Sequence, residues 1–346
     1  MSGQPLAVTG GGMVTAVGLT APSACAAIRC ALNNFRETRF MDSAGEWIIG
    51  SEVPLEEPWR GPPKLARMLC RVIREAFDAD RTLRPEQTPI IVCIAERERP
   101  GRFKDLKERL AVEVRRELAL HPDSMIVSQG KVGVVVALRE ARSLLYAKRH
   151  PAVIVAGVDS YLSGPTLAAY ESRRRLLTAA HSDGFIPGEG AAAVIVKRPV
   201  ATDEPQLIVA GIGFGVEKAP VESGEPLRAD GMVEAIRNAL ADARTDMAAL
   251  DYRITDISGE QYAFKEAALA LTRLLRVRKE ELDLWHPADC IGETGAAAGP
   301  SVLNVAWAAA TKGYARGDNI LCHFGNDDGK RAAAVLTYRP VGRAHA

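Results

Sequence analysis

The sequence predicts an α/β protein in which helices pack on a mixed, mostly parallel sheet. Two observations carry this. Short apolar runs alternate with helical stretches of ten or more residues along the chain. The same coarse order then recurs in the second half: strand, helix, strand, a small-residue central helix, then paired strands. At 346 residues and 47% hydrophobic, the chain can bury a substantial core or two fused halves. The charged fraction is 25% with formal net charge +1, which points to neither nucleic acid nor a membrane surface.

Taken in order, "PLAVTGGGMVTAVG" reads as a buried strand followed by a glycine turn. "APSACAAIRCAL" follows as a helix with a proline just inside its start. Gly10, Gly12 and Thr15 do not complete G-x-G-x-x-G, so no nucleotide cofactor is expected. "GPPKLARMLCRVIREAFDAD" is an amphipathic helix, "TPIIVCIAE" a buried strand and "GRFKDLKERLAVEVRREL" another helix. "HPAVIVAGVDSYL", "SGPTLAAYESRRRLLT" and "AAAVIVKRP" read as strand, helix and strand. The second series runs "PQLIVAGIGFGVE", "DGMVEAIRNALADA", "YRITDISGE" and "AFKEAALALTRLL". It closes with the small-residue helix "GAAAGPSVLNVAWAAATKG", carrying an awkward Pro300, and the strands "DNILCHFG" and "KRAAAVLTYRP". The halves divide at 1–203 and 204–346, with no low-complexity linker between them, so they are expected to pack as one unit.

The opening "MSGQPLAVTGGG" lacks a signal-peptide layout, and no apolar run approaches the roughly 20 residues that span a bilayer. The six cysteines are scattered, so a cytoplasmic protein with reduced thiols is expected. No Cys/His cluster has ligand spacing, and no metal is expected. The basic runs "ESRRRLL" and "LLRVRKEEL" read as solvated helix faces.

Mid-chain, "SMIVSQGKVGVVVALREARSLL" takes a short strand through a tight bend into a helix. Such a bend suits a nucleophile, because helix amides hold a developing negative charge. Here it carries Ser128, Gln129, Gly130 and Lys131, and no cysteine.

Several segments resemble the beta-ketoacyl synthases, of the thiolase fold. "AGVDS" and "DGFIPGEGAAAVIV" lie in the family's order. "VTGGGMVTAVGLTAPSACAAI" resembles its opening, "GETGAAAGPSVLNVAWAA" the helix after its second active-site histidine, and "CHFGNDDGKRAAAVL" its closing turn and strand. The likeness covers most of the chain. It implies a five-layered, thiolase-like α/β fold of two pseudo-repeated halves, usually dimeric. It also implies acyl transfer through a cysteine and two histidines.

Matched residue by residue, those groups are missing. Aligning "VVAL" with the family's central helix puts Lys131 on the cysteine position, and a slip of a residue or two offers Gly130 or Gln129. Neither glycine nor glutamine replaces a thiol at a helix N-terminus. Ser258 falls near the first histidine, before Gly259, and Glu293 on the second, after Gly292. Ala288 takes the place of a lysine, and Asn326 that of a gating phenylalanine. Glu260 and Tyr262 begin the next loop, as pocket lining or exposed turn. A lysine at a helix N-terminus meets a positive partial charge, so either an ion pair with Glu293 or a solvent-directed amine is expected. Cys290 and Cys93 read as packed thiols, and His286 and His323 as hydrogen-bonded structural residues. Asp183, Gly184, Gly188, Glu189 and Gly190 form an architectural turn.

The implied protein lacks standard condensation chemistry. It is a partner subunit of an active ketosynthase homologue, in a homo- or heterodimer, or a binder of acyl thioester or acyl carrier protein. The alternatives are an acyltransferase or hydrolase built on Lys131, Glu293, Glu260 or Ser128, and a scaffold with a closed pocket.

Overall fold

The computed structural model describes residues 3–57, 59–201 and 204–339. The division expected between residues 203 and 204 falls against positions outside the described residues.

β1 (Leu6–Val14) is followed by α1 (Ala21–Arg29), which starts at a capping box between Thr20 and Ser23. β1 is not ended by its glycines. A Cβ on Gly11 would lie 2.1 Å from the Ala193 carbonyl oxygen, and one on Gly12 2.5 Å from that of Val72, so glycine lets neighbouring backbone close on the strand. A hairpin that the sequence pattern did not reveal comes next, β2 (Arg36–Met41) and β3 (Trp47–Gly50). α2 (Gly61–Ala79) buries Leu65, Leu69, Val72, Ile73 and Ala76, one stripe at helical spacing.

β4 (Ile90–Ile94), α3 (Leu106–Glu117) and β5 (Met125–Ser128) lead to a one-turn 3-10 segment, Gly130–Val132, and then α4 (Gly133–Arg142). β6 (Ala152–Ser160), α5 (Gly164–Ser172) and β7 (Glu189–Lys197) close the first half. The second half holds β8 (Gln206–Val216), α6 (Asp230–Ala243), β9 (Tyr252–Thr255) and α7 (Gln261–Leu274). It continues through β10 (Leu284–Trp285), α8 (Ala288–Ile291) and α9 (Ala298–Thr311) to β11 (Asn319–Gly325) and β12 (Lys330–Arg339). Pro300 is the third residue of α9, where no amide is yet required for the helix ladder, so it is well placed rather than awkward.

Among the described residues, ten of the twelve strands form one sheet in the order β10-β9-β11-β12-β8-β1-β7-β6-β4-β5, and β2 and β3 pair by themselves. Around the antiparallel β1–β8 pair the order is palindromic: β1, β7, β6, β4, β5 on one side mirror β8, β12, β11, β9, β10 on the other. The outer pairings β4–β5, β4–β6, β9–β11 and β9–β10 are parallel, and the centre is antiparallel. α4 and α9 bury their apolar faces in one core shared by strands of both halves. α2 and α3 cover the first half outside, and α6 and α7 the second. This gives five layers, α-β-α-β-α.

Candidate functional site

The C-terminal end of β5 and the N-terminal end of α4 meet the loops after β9 and α8, so the segments carrying Lys131, Ser258 and Glu293 converge. Lys131 Nζ lies 3.2 Å from Glu293 Oε2 and 3.5 Å from Asp256 Oδ2. Ser258 Oγ donates to the same Glu293 oxygen at 2.9 Å, and the Gly295 amide donates to Oε1 at 2.8 Å. Both carboxylate oxygens of Glu293 are therefore engaged. Its backbone pairs with the loop before β7: Glu293 N donates to the Ile186 carbonyl, and Gly188 N to the Glu293 carbonyl.

Burial disfavours the Lys131 ammonium, but Glu293, Asp256 and Asp327 outweigh it and hold the amine charged well above the usual lysine range.

Asn326 clasps the bend. Its Oδ1 accepts from the Val132 amide at 3.2 Å, and its Nδ2 donates to the Gln129 carbonyl at 2.8 Å. Gly130 adopts φ +55°, and a Cβ there would sit 2.1 Å from Glu96 Oε2. Burial pushes the Glu96 carboxyl up to about 7, against Arg99 and with help from Asp159 and Asp327.

A second cluster of ion pairs lies beside the first. Arg175 holds Glu260 through two 2.7 Å hydrogen bonds and reaches Asp327 at 2.8 Å, and the Tyr170 hydroxyl donates to Asp327 at 2.8 Å. Burial opposes ionisation of Asp327, but Arg175, then Lys131 and Tyr170, bring its carboxyl down to about 2. Arg331 pairs with Glu266 at 2.8 Å and donates to Tyr262 Oη at 3.0 Å, while Tyr262 donates to the Ala219 carbonyl at 2.8 Å. Lys131, Ser258, Glu260, Tyr262, Asn326 and Asp327 are among the residues lining a cavity of about 40 Å³. That holds water molecules, not an acyl chain.

No family model matches the chain, and no curated protein does. Solved structures do. The ishigamide ketosynthase/chain length factor superposes with TM-score 0.78 at 16% identity, over 98% of this chain and 100% of the other. A Xenorhabdus doucetiae ketosynthase in complex with its chain length factor gives 0.72 at 13%, over 97% and 98%. A type II PKS acyl-carrier protein in complex with its ketosynthase bound to the hexaketide gives 0.78 at 14%, over 96% and 99%. The chain has the ketosynthase fold.

Within this ketosynthase fold, the Lys131, Ser258 and Glu293 positions lie in one hydrogen-bonded cluster, with Asn326 beside it. Gln129 contributes its carbonyl and Gly130 its backbone shape. Glu260 and Tyr262 are cavity lining, not an exposed turn. Ala288 does not line this cavity: it opens α8, in the loop that approaches a separate cleft beside Trp285, His286 and Cys290. His286 pairs with Asp289 at 2.9 Å. His323 is buried against Thr255, and burial, reinforced by Arg253, pushes its imidazole down to about 3.

In the basic run "ESRRRLL", Arg173 and Arg174 are exposed as a solvated face would be, but Arg175 is not. α5 ends at Ser172, Arg174 takes φ +56°, and this reversal throws Arg175 into the interior. Arg175, Asp256, Asp327 and Glu96 are site residues that sequence matching passed over. Two had a local signal, since Asp256 ends "ITD" two residues before Ser258 and Asp327 follows Asn326. Asp183 caps α7, its Oδ1 accepting from the Gln261 amide at 2.8 Å.

Proposed function

We propose that this chain is a non-condensing ketosynthase-like subunit that works as the partner of an active ketosynthase homologue. The observation that carries the reading is the Lys131 ammonium, held between Glu293 and Asp256 at the end of β5 where the bend would present a nucleophile. Three further features support it. The Val132 amide, which would face a developing oxyanion, is occupied by Asn326. The cavity of about 40 Å³ excludes a thioester arm. Two of the structures it resembles pair a ketosynthase with a chain length factor. Acyl carrier protein would then meet the assembly rather than load this chain.

Purified protein incubated with an acyl-thioester probe and mapped by mass is expected to stay unlabelled at Lys131 and Ser128. Co-expression with a cysteine-bearing ketosynthase is expected to give a two-chain complex in which only the partner is acylated. Acylation of Lys131, or no complex with any such homologue, would overturn the reading.

A further inference from the structure

β4, β5 and β6 run parallel, so their N-terminal ends lie at one end of the sheet, opposite the Lys131 bend. The loop into β5 carries His121 and Asp123, and the loop into β6 carries His150. Because β5 and β6 flank β4, the fold brings His150 to the His121–Asp123 loop. One ligand atom from each lies within 4.8 Å of the others, and all three side chains are half-buried.

We infer that His121, Asp123 and His150 form a divalent transition-metal site, with zinc the ion its donors suit. Two imidazoles and a carboxylate are a zinc donor set, with water completing the shell. His150 Nε2 is already 2.8 Å from Asp123 Oδ2, and the imidazoles meet edge to face at 4.9 Å between centroids. Zinc at about 2.0–2.1 Å from each donor needs them roughly 3.3 Å apart, so His121 moves by about an ångström. Two contacts compete for the donors. The Asp123 amide donates to His121 Nδ1 at 3.0 Å, and Lys148 reaches Asp123 Oδ1 at 2.6 Å. The Lys148 side chain is 53% exposed, so little opposes its displacement.

The three ligands bracket β5, the bend and α4. A bound ion would close that segment into a loop and stabilise it. The sequence could not show this, because the histidines are paired by the sheet and not by spacing.

The test is titration of the metal-free protein with Co²⁺, followed through its visible bands, and then displacement by Zn²⁺. His121→Gln and His150→Gln keep polar side chains of similar reach. The wild type is expected to bind one equivalent, each variant more than about tenfold more weakly. Zinc is expected to raise the melting temperature of the wild type and not of the variants. Absence of binding, equal binding by variants and wild type, or a thiolate-to-cobalt absorption band would overturn the proposal.

Discussion

Lys131 places a structural charge at the bend that follows β5, paired with Glu293 and Asp256. Removing one partner of a buried pair leaves the other uncompensated, so Lys131→Met is expected to cost about 3 kcal/mol in urea unfolding. Combining it with Glu293→Gln is expected to restore part of that, with a coupling energy of about 1–3 kcal/mol. A coupling near zero would mean that the two groups do not stabilise one another. Asp327 makes the pH dependence visible. Its folded pKa of about 2 is depressed from 3.8, so its stability contribution is complete above about pH 4 and is lost as pH falls towards 2. That contribution is about 2 kcal/mol, and Asp327→Asn is expected to flatten the acid limb of stability against pH. Glu96 works in the opposite sense. Its folded pKa is raised, so folding is favoured while it is protonated and weakens as pH rises from about 4.5 through 7. Glu96→Gln is therefore expected to stabilise the protein at pH 8 relative to pH 5.

At the scale of the element, the bend is held from both sides. Gly130→Ala combines a left-handed backbone with a Cβ against Glu96, and a loss of about 1–3 kcal/mol is expected in thermal unfolding. Most elements were legible because their period is local: α2 has its stripe, and β6 and β7 their apolar runs. The hairpin was not, since Arg36, Glu37, Arg39, Met41 and Trp47 face solvent and only Ile48 and Phe40 reach a small apolar cluster beneath it. The glycines of β1 misled because glycine marks either a turn or a close approach, and only packing decides which. The site divides the same way. Lys131, Ser258 and Glu293 were found through the fold their neighbours predict, whereas Arg175 depended on a chain reversal after α5 that no pattern announces.

For the whole molecule, the two ends of the sheet differ in a way that bears on assembly. β10 is a two-residue edge, too short to template another strand. β5 has four residues, Met-Ile-Val-Ser, all half-buried, and among the described residues it pairs with β4 alone. Its free edge runs directly into the bend, so a chain added there would stand beside Lys131 and Asn326. The partner reading therefore places its interface at β5. Ile126→Lys puts a charge on that edge while its long stem still covers the apolar surface near α3. On the partner reading, native mass measurement of the co-expressed chains is expected to show a two-chain species for the parent and single chains for the variant, with unchanged helical circular dichroism. A variant that still assembles would move the interface elsewhere on the molecule, and with it the claim that the Lys131 cluster faces a partner.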